Sequence, residues 1–209
     1  VKSLIINKGA NEISDAFVGI WSDPDIGDAG DDFVGCDTLL GLGYAYNDGS
    51  DGQFGAAAPA VGYDFIQGPM VASVGDTAQA FGRPIADFKN LKMTSFTKYI
   101  NADPFWTDPN DAVEAYNYMN GLDRSGSPLV NTATGEITKY AHPDDPNDNV
   151  DATDNIWVDG DDNPSDDRRF LMNAGPFNMA PGDSQEVIYA VMMAQGIDPA
   201  AAAQQQQAA

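Results

Sequence analysis

The chain has 209 residues, of which 43% are hydrophobic, and its 32 acidic and 10 basic residues give a formal net charge of −22 at pH 7. This balance excludes nucleic acid as a partner, because binding to a phosphate backbone needs Lys and Arg to replace its counterions. It also disfavours anionic membranes and favours cations. No run of 18 or more apolar residues occurs, so we expect no membrane insertion.

The first part of the chain predicts two short strands. Residues 2–7 and 15–22 have the residue types and the alternation of strands, and the polar residues 7–11 lie between them. Two strands joined by a polar turn indicate the opening hairpin of a β-sandwich.

The next segment, residues 21–37, holds six Asp and no Lys or Arg. Carboxylates about 4 Å apart at a partly screened site repel by roughly 4 kcal/mol, so a fold that gathers several needs a counter-charge. No Lys or Arg occurs between Lys8 and Arg83. Ca²⁺ accepts six to eight oxygens from irregular loops, so we predict a calcium site here. The candidate ligands are Asp23, Asp25, Asp28, Asp31, Asp32 and Asp37.

Two alternatives limit this prediction. The spacing is not that of an EF-hand loop, because Gly27 precedes Asp28. A solvated acidic loop that binds nothing in particular is the simpler interpretation of the same residues.

Cys36, the single cysteine, is predicted to be a small buried hydrophobe rather than a nucleophile.

Further strands are predicted at residues 37–46, 61–66 and 92–99. Residues 168–194 have the pattern of strand, Pro-Gly-Asp turn and strand. The last of these strands is apolar on both faces, which is typical of a central strand.

One helix is predicted at about residues 108–121. Asp108 suits the N-cap, Pro109 suits the first helical position and Gly121 lies near the end. The apolar residues Val113, Tyr116 and Met119 fall on one helical face, so we expect them to pack against the sandwich.

Residues 141–167 hold ten Asp and no Lys or Arg. A long loop of this kind inside a compact domain is more often functional or organised by a cation, and we expect calcium to order it. We expect residues 1–198 to form a single domain. Residues 199–209 are a low-complexity tail of Ala and Gln after one Pro, and no function follows from them.

Several segments together resemble a region of large secreted and cell-surface proteins of Bacteroidota and related bacteria, over about residues 2–196. The resemblance is carried by Asp-Pro-Asp-x-Gly-Asp at 23–28, Gly-Cys-Asp at 35–37, Pro-Ala-Val-Gly-Tyr-Asp-Phe at 59–65, Arg-Arg-Phe-Leu-Met at 168–172 and Met-Ala-Pro-Gly-Asp at 179–183. It implies an extracellular or cell-surface location and similarity to cargo of the type IX secretion route. It implies no catalytic residue.

The first and last hairpins resemble the ends of immunoglobulin-like adhesion modules, which place an opening strand beside the closing strand. The fold class that we predict is therefore all-β: an immunoglobulin-like or jelly-roll-like β-sandwich with long acidic loop insertions and one short helix.

We predict a non-catalytic, extracellular, calcium-stabilised β-sandwich that serves as a structural or adhesive segment of a surface protein or filament. Its expected partners are neighbouring domains or copies of itself. The alternative is a carbohydrate-binding accessory domain of a secreted enzyme, in which aromatic side chains, above all Trp106 and Trp157, stack on a polysaccharide. We expect no enzyme, because the chain lacks a nucleophile elbow, a His-x-x-x-His set and a phosphate-binding loop.

Overall fold

The computed structural model of the protein describes residues 1–49, 51–147 and 155–195, and about half of them lie in antiparallel strands. Within these residues one α-helix, α1, spans Ala112–Met119, and a short 3-10 helix spans Ala29–Asp31. The strands, in chain order, are β1 (Lys2–Ile6), β2 (Ile13–Ser22), β3 (Asp32–Asp37), β4 (Leu42–Asn47), β5 (Pro59–Gln67), β6 (Met70–Ala80), β7 (Arg83–Asn90), β8 (Ser95–Ile100), β9 (Leu129–Val130), β10 (Ile137–Thr138), β11 (Arg168–Met179) and β12 (Ser184–Gln195). The all-β prediction is confirmed. The predicted Ala/Gln tail at 199–209 and part of the acidic segment, residues 148–154, lie outside the described residues.

Two sheets enclose the main core. The larger has the order β1-β12-β5-β4-β3 and the smaller the order β2-β11-β8, while β6-β7 and β9-β10 form separate two-stranded ribbons. Side chains of both sheets meet in one apolar cluster that includes Val34, Cys36, Phe65 and Val187 from the larger sheet and Ile20, Phe96, Phe170 and Met172 from the smaller. This arrangement is a β-sandwich, and it buries Cys36 as predicted.

The predicted opening hairpin is wrong, because the first two strands lie in different sheets. β1 pairs with β12, whereas β2 pairs with β11. Asn7 holds the crossing: its side-chain amide donates to Asn11 O at 2.8 Å and to Met179 O at 2.9 Å. The polar residues between β1 and β2 therefore follow the turn that joins β11 to β12 instead of closing a tight hairpin. The pairing of β1 with the closing strand agrees with the expectation for immunoglobulin-like ends.

The strand predicted at residues 37–46 is only partly correct: residues 42–46 lie in β4, whereas Asp37 ends β3 and residues 38–41 form the turn between the two strands. Asp37 ends β3, and its Oδ1 accepts the N–H groups of Leu39 and Leu40 at 2.8 and 2.9 Å. Gly41 then takes a positive φ of 82°. An Asp that binds the backbone two residues on, followed by a Gly, is a turn signal that outweighed the apolar run between them.

Helix α1 begins three residues later than the predicted cap requires. Asp111 is the N-cap, and its Oδ1 accepts the N–H groups of Val113 and Glu114 at 2.8 and 3.0 Å. Asp108 instead forms an ion pair with Arg169 at 2.8 Å. Asp108 precedes Pro109, which suits the first helical position, whereas the actual cap, Asp111, precedes Ala112, a strong helix former.

The predicted apolar stripe of the helix is only partly correct. Val113 is 69% exposed and Tyr116 is 42% exposed, whereas Tyr118 is buried. The ring of Tyr118 packs edge-on against Tyr99 of β8, with centroids 5.1 Å apart. In a helix of eight residues, the tertiary contact with β8 decides which face is buried, and the stripe pattern is too short to do so.

The prediction of a central closing strand is confirmed, because β12 lies between β1 and β5. Its second half is not covered by the smaller sheet, however. Val187 is buried in the core, but Val191 and Met193 on the same face are 49% and 76% exposed. This uncovered end of the inner face lies beside the acidic loop that follows β2.

Candidate metal centre

The structure brings two of the six predicted ligands together with a third that the sequence did not single out. Asp23 and Asp25 follow β2, and Asp167 directly precedes β11. One carboxylate oxygen from each of the three lies within 4.8 Å of the others. Among residues 1–49, 51–147 and 155–195, no other set of three acidic, His or Cys side chains meets this criterion. The three residues are called the acidic cluster below.

Three other predicted ligands make local contacts instead. Asp28 caps the short 3-10 helix by accepting the Gly30 N–H at 3.1 Å, and Asp31 accepts the Asn47 side-chain amide at 2.6 Å. Asp37 closes the β3-β4 turn. It lies at the opposite end of β3 from Asp32, roughly 17 Å away at the rise of an extended strand, so it is not part of the same site.

Arg169 supplies a counter-charge that the sequence argument did not foresee. Its Nε lies 3.2 Å from Asp23 Oδ2, and its Nη2 lies 3.0 Å from Asp167 Oδ2. In the part of the chain that the structure describes, no such ion pair reaches Asp25. Arg169 is distant from Asp23 along the sequence, but β11 pairs with β2 and brings it to the cluster.

Asp32, the sixth predicted ligand, is the first residue of β3 and is not one of the three residues of the cluster. It is 0% exposed; its Oδ2 accepts the Ile26 N–H at 3.0 Å, and its Oδ1 has no hydrogen-bond partner among the described residues. Burial above all, and then the charges of Asp31 and Asp25, raise the pKa of Asp32 to about 7, although the Ile26 hydrogen bond lowers it. A buried acceptor without a partner costs about 1–3 kcal/mol, so this oxygen is a ready ligand for a cation.

Asp25 connects Asp32 to the exposed cluster. The charge on Asp25 raises the pKa of Asp32 and also that of Asp167, for which burial is the larger cause. Asp25 lies within 4.8 Å of Asp167, carboxylate oxygen to carboxylate oxygen, whereas it acts on Asp32 through its charge. Asp25, Asp167 and Asp32 come from three different segments: the loop after β2, the residue before β11 and the start of β3.

A second turn, at residues 51–55, holds the loop of residues 25–28 in place. Asp51 Oδ2 accepts the Asp28 N–H at 2.7 Å, and hydrogen bonds from Asp28 and other backbone N–H groups of the turn lower the pKa of Asp51. Gly27 has a φ of 77°, and a Cβ there would lie 2.2 Å from Asp51 Oδ2. The close approach of the two loops therefore requires glycine at this position.

A second buried aspartate, Asp159, was not predicted as a site. It is 3% exposed, and it pairs with Lys98 Nζ at 2.7 Å and with Arg168 Nε at 2.9 Å. Burial opposes its ionisation, but the charge of Lys98, with those of its other neighbours, outweighs this and lowers the pKa of Asp159. No local motif announces this group, since its partners come from β8 and β11.

His142 fills the space beside this ion pair. Its ring lies 4.6 Å from the Trp157 ring and 6.0 Å from the Trp106 ring, centroid to centroid, and burial lowers its pKa to about 3. The imidazole is therefore neutral.

Trp106 and Trp157 are buried beside His142, so the prediction that these two side chains stack on a polysaccharide is wrong. Burial also raises the pKa of the Cys36 thiol, which keeps it protonated.

Comparison of the chain with models of protein families, with curated proteins and with solved structures gives no match. The resemblance to secreted proteins of Bacteroidota and the more specific immunoglobulin-like assignment therefore stay predictions. In the described residues no helix has the length and apolar character needed to cross a membrane. Any functional assignment therefore depends on the geometry above.

Proposed function

We propose that the protein is a non-catalytic β-sandwich module that binds calcium at the acidic cluster and at Asp32. It would serve outside the cell as a structural or adhesive segment, in contact with neighbouring domains or with copies of itself. The observation that carries this proposal is the Oδ1 oxygen of Asp32, which is buried and without a hydrogen-bond partner in the described chain.

The exposed residues of the cluster are weaker support on their own. Acidic side chains often gather at a protein surface without an ion, and Arg169 already pairs with Asp23 and Asp167. Asp32 differs because its carboxylate has left water and has gained one backbone N–H group in return. A buried carboxylate is expected to be paired or to bind a metal.

The available ligands suit calcium better than a transition metal. The carboxylate oxygens of the acidic cluster, which lie within 4.8 Å of one another, and the buried carboxylate of Asp32 are hard ligands, and Ca²⁺ completes its six to eight positions with carbonyl groups and water. Arg169 would remain on the outer side of the cluster with Asp23. The ion would then hold the two sheets together, because β3 belongs to the larger sheet and β11 to the smaller.

An extracellular setting fits this type of site. Calcium modules outside cells bind at about 10⁻⁴ to 10⁻³ M, which matches millimolar calcium. The net charge of −22 also favours cation binding and solubility in such a medium.

Thermal unfolding with and without EGTA tests the proposal. A ligand that binds the native state alone stabilises it, so removal of calcium is expected to lower the melting temperature by several degrees. In calorimetric titrations Asp25→Asn should weaken calcium binding, while the matched control Asp76→Asn, on the separate β6-β7 ribbon, should not. Identical melting curves at equal ionic strength would contradict the proposal.

A further inference from the structure

A cavity of about 400 Å³ opens next to the proposed calcium site. One wall is the loop of residues 24–27, and the opposite wall is the uncovered inner face of β5 and β12, where Val61, Tyr63 and Met193 lie. Phe54 lines the cavity from the second turn. The volume is in the range of ligand pockets, and it holds a single sugar ring with part of the next.

The lining combines apolar side chains with hydrogen-bond acceptors. Phe54 is 44% exposed, and the Tyr63 ring is held by an edge-on contact with Phe170 and by the Ser22 hydroxyl, which bonds Tyr63 Oη at 2.7 Å. Asp25 is the acidic residue that lines the cavity. No Lys or Arg lines this cavity, so an anionic ligand such as phosphate finds no direct partner.

The cavity and the proposed ion share one loop. Gln53 Nε2 donates to Gly27 O at 2.7 Å, and Asp51 Oδ1 accepts the Phe54 N–H at 2.6 Å. The position of Phe54 therefore depends on the loop that also carries Asp25. An ion that orders this loop would order the cavity wall at the same time, and by linkage a ligand in the cavity would strengthen binding of the ion.

The charge on Asp25, which lines the cavity, decides between two classes of ligand. Without an ion, Asp25 would attract an ammonium or guanidinium group. With calcium bound, the charge on Asp25 is compensated and that attraction falls. The cluster and Asp32 provide four carboxylates at most, so part of the six to eight positions around the ion falls to water, which two neighbouring hydroxyl groups of a sugar can replace.

We propose that this cavity binds one hexopyranose unit of a neutral polysaccharide, and that binding requires calcium at the adjacent site. The C–H face of the ring packs on Phe54 and Tyr63, and its hydroxyl groups donate to Asp25 or bind the ion. This inference rests on the proposed calcium binding. It assigns the stacking role to residues other than the two buried Trp residues.

Isothermal titration calorimetry of the full chain tests the inference with mannohexaose, cellohexaose and laminarihexaose, each in millimolar calcium and in EGTA at equal ionic strength. We expect at least one to bind in calcium, with EGTA lowering its affinity about 5- to 150-fold. Phe54→Ala should lower that affinity about tenfold and leave calcium affinity unchanged. The matched control is Phe105→Ala, which removes a ring of similar exposure (49%) from a different loop.

The other outcomes overturn the inference, and they separate it from the proposed function. If calcium binds but none of the three oligosaccharides does, the cavity is not a glycan site and the calcium proposal stands. If the sugar binds with equal affinity in calcium and in EGTA, binding does not require calcium. If Phe54→Ala and Phe105→Ala lower the sugar affinity equally, the cavity is not the binding site. A lysine-rich peptide that binds more tightly in EGTA would assign the cavity to a cationic protein segment. If calcium itself does not bind, both proposals fail.

Discussion

Asp32 and Asp159 are both buried aspartates, yet their surroundings are opposite. Asp159 receives Lys98, Arg168 and the N–H of Val34, and its pKa is lowered. Asp32 receives a single N–H group, stands among other carboxylates, and has its pKa raised to about 7.

The difference shows how one chain with few basic residues distributes them. Removing a charge from water costs several kcal/mol, and nearby opposite charge offsets this cost only when the geometry is good. The protein provides that charge for Asp159 from its own side chains. Around Asp32 the protein places other carboxylates and no basic side chain. This is the arrangement that we expect of a site completed by an external cation.

The largest expected effect is at the compensated site. Asp159→Asn leaves Lys98 and Arg168 buried without their carboxylate, so we expect a loss of about 3–5 kcal/mol in the free energy of unfolding, measured in urea. The control Asp161→Asn changes an exposed carboxylate in the same loop and should cost less than about 1 kcal/mol. Similar values for both variants would mean that the ion pair does not distinguish Asp159.

For Asp32, the effect of a substitution on the free energy of unfolding should change sign between EGTA and calcium. At a pH above the raised pKa of Asp32 and in EGTA, Asp32→Asn removes a buried charge and should stabilise the protein by on the order of 1 kcal/mol. In calcium at about 100 times the dissociation constant, the same variant should lose up to about 2.7 kcal/mol of binding stabilisation. Denaturant unfolding of both proteins in both buffers measures this. A variant that destabilises equally in EGTA and in calcium would refute the contrast.

The pH dependence of stability tests whether the buried imidazole of His142 stays neutral beside the ion pair of Asp159. The folded pKa of His142 is about 3 against an ordinary value of 6.5, so between these values the unfolded chain binds the proton and the folded protein does not. Stability attributable to His142 is therefore fully present above pH 6.5 and is lost as pH falls toward 3. Relative to His142→Gln, wild type should lose about 1.5 kcal/mol between pH 6.5 and 5 in saturating calcium. Parallel pH profiles for the two proteins would show that the imidazole is charged in the folded state.

The smallest expected effect concerns Arg169. This residue partly neutralises the cluster, so Arg169→Gln should raise calcium affinity by about fivefold, equivalent to about 1 kcal/mol. The control Arg124→Gln alters a basic side chain that pairs with Glu114, at 3.9 Å. Calorimetric titration compares them. Weaker calcium binding in Arg169→Gln would mean that the arginine builds the site rather than competes with the ion.

The sequence predicted the parts of this account that local patterns encode. Asp23 and Asp25 lie in one short motif, and β11, its turn and β12 follow a clear alternation of apolar residues. Asp167 and Arg169 could not be assigned to the cluster, because their approach depends on the pairing of β11 with β2. The same holds for Asp159, whose partners come from strands distant in sequence.

Local signals also failed where two of them competed. The apolar residues favoured one strand over residues 37–46, while the hydrogen bonds of Asp37 and the positive φ of Gly41 place residues 38–41 in the turn before β4. Local sequence predicted the helix cap at Asp108, but Asp108 forms an ion pair with Arg169 and Asp111 caps the helix instead. In each case the outcome depends on tertiary contacts that periodicity does not report.

A crystal structure from saturating calcium, with anomalous data that identify the ion, tests the central claim most directly. We expect a calcium ion about 2.3–2.6 Å from an oxygen of Asp25 and from Oδ1 of Asp32, with Asp167 beside it. The contrary result is a cluster held by Arg169 and solvent, with no ion bound and a protonated Asp32.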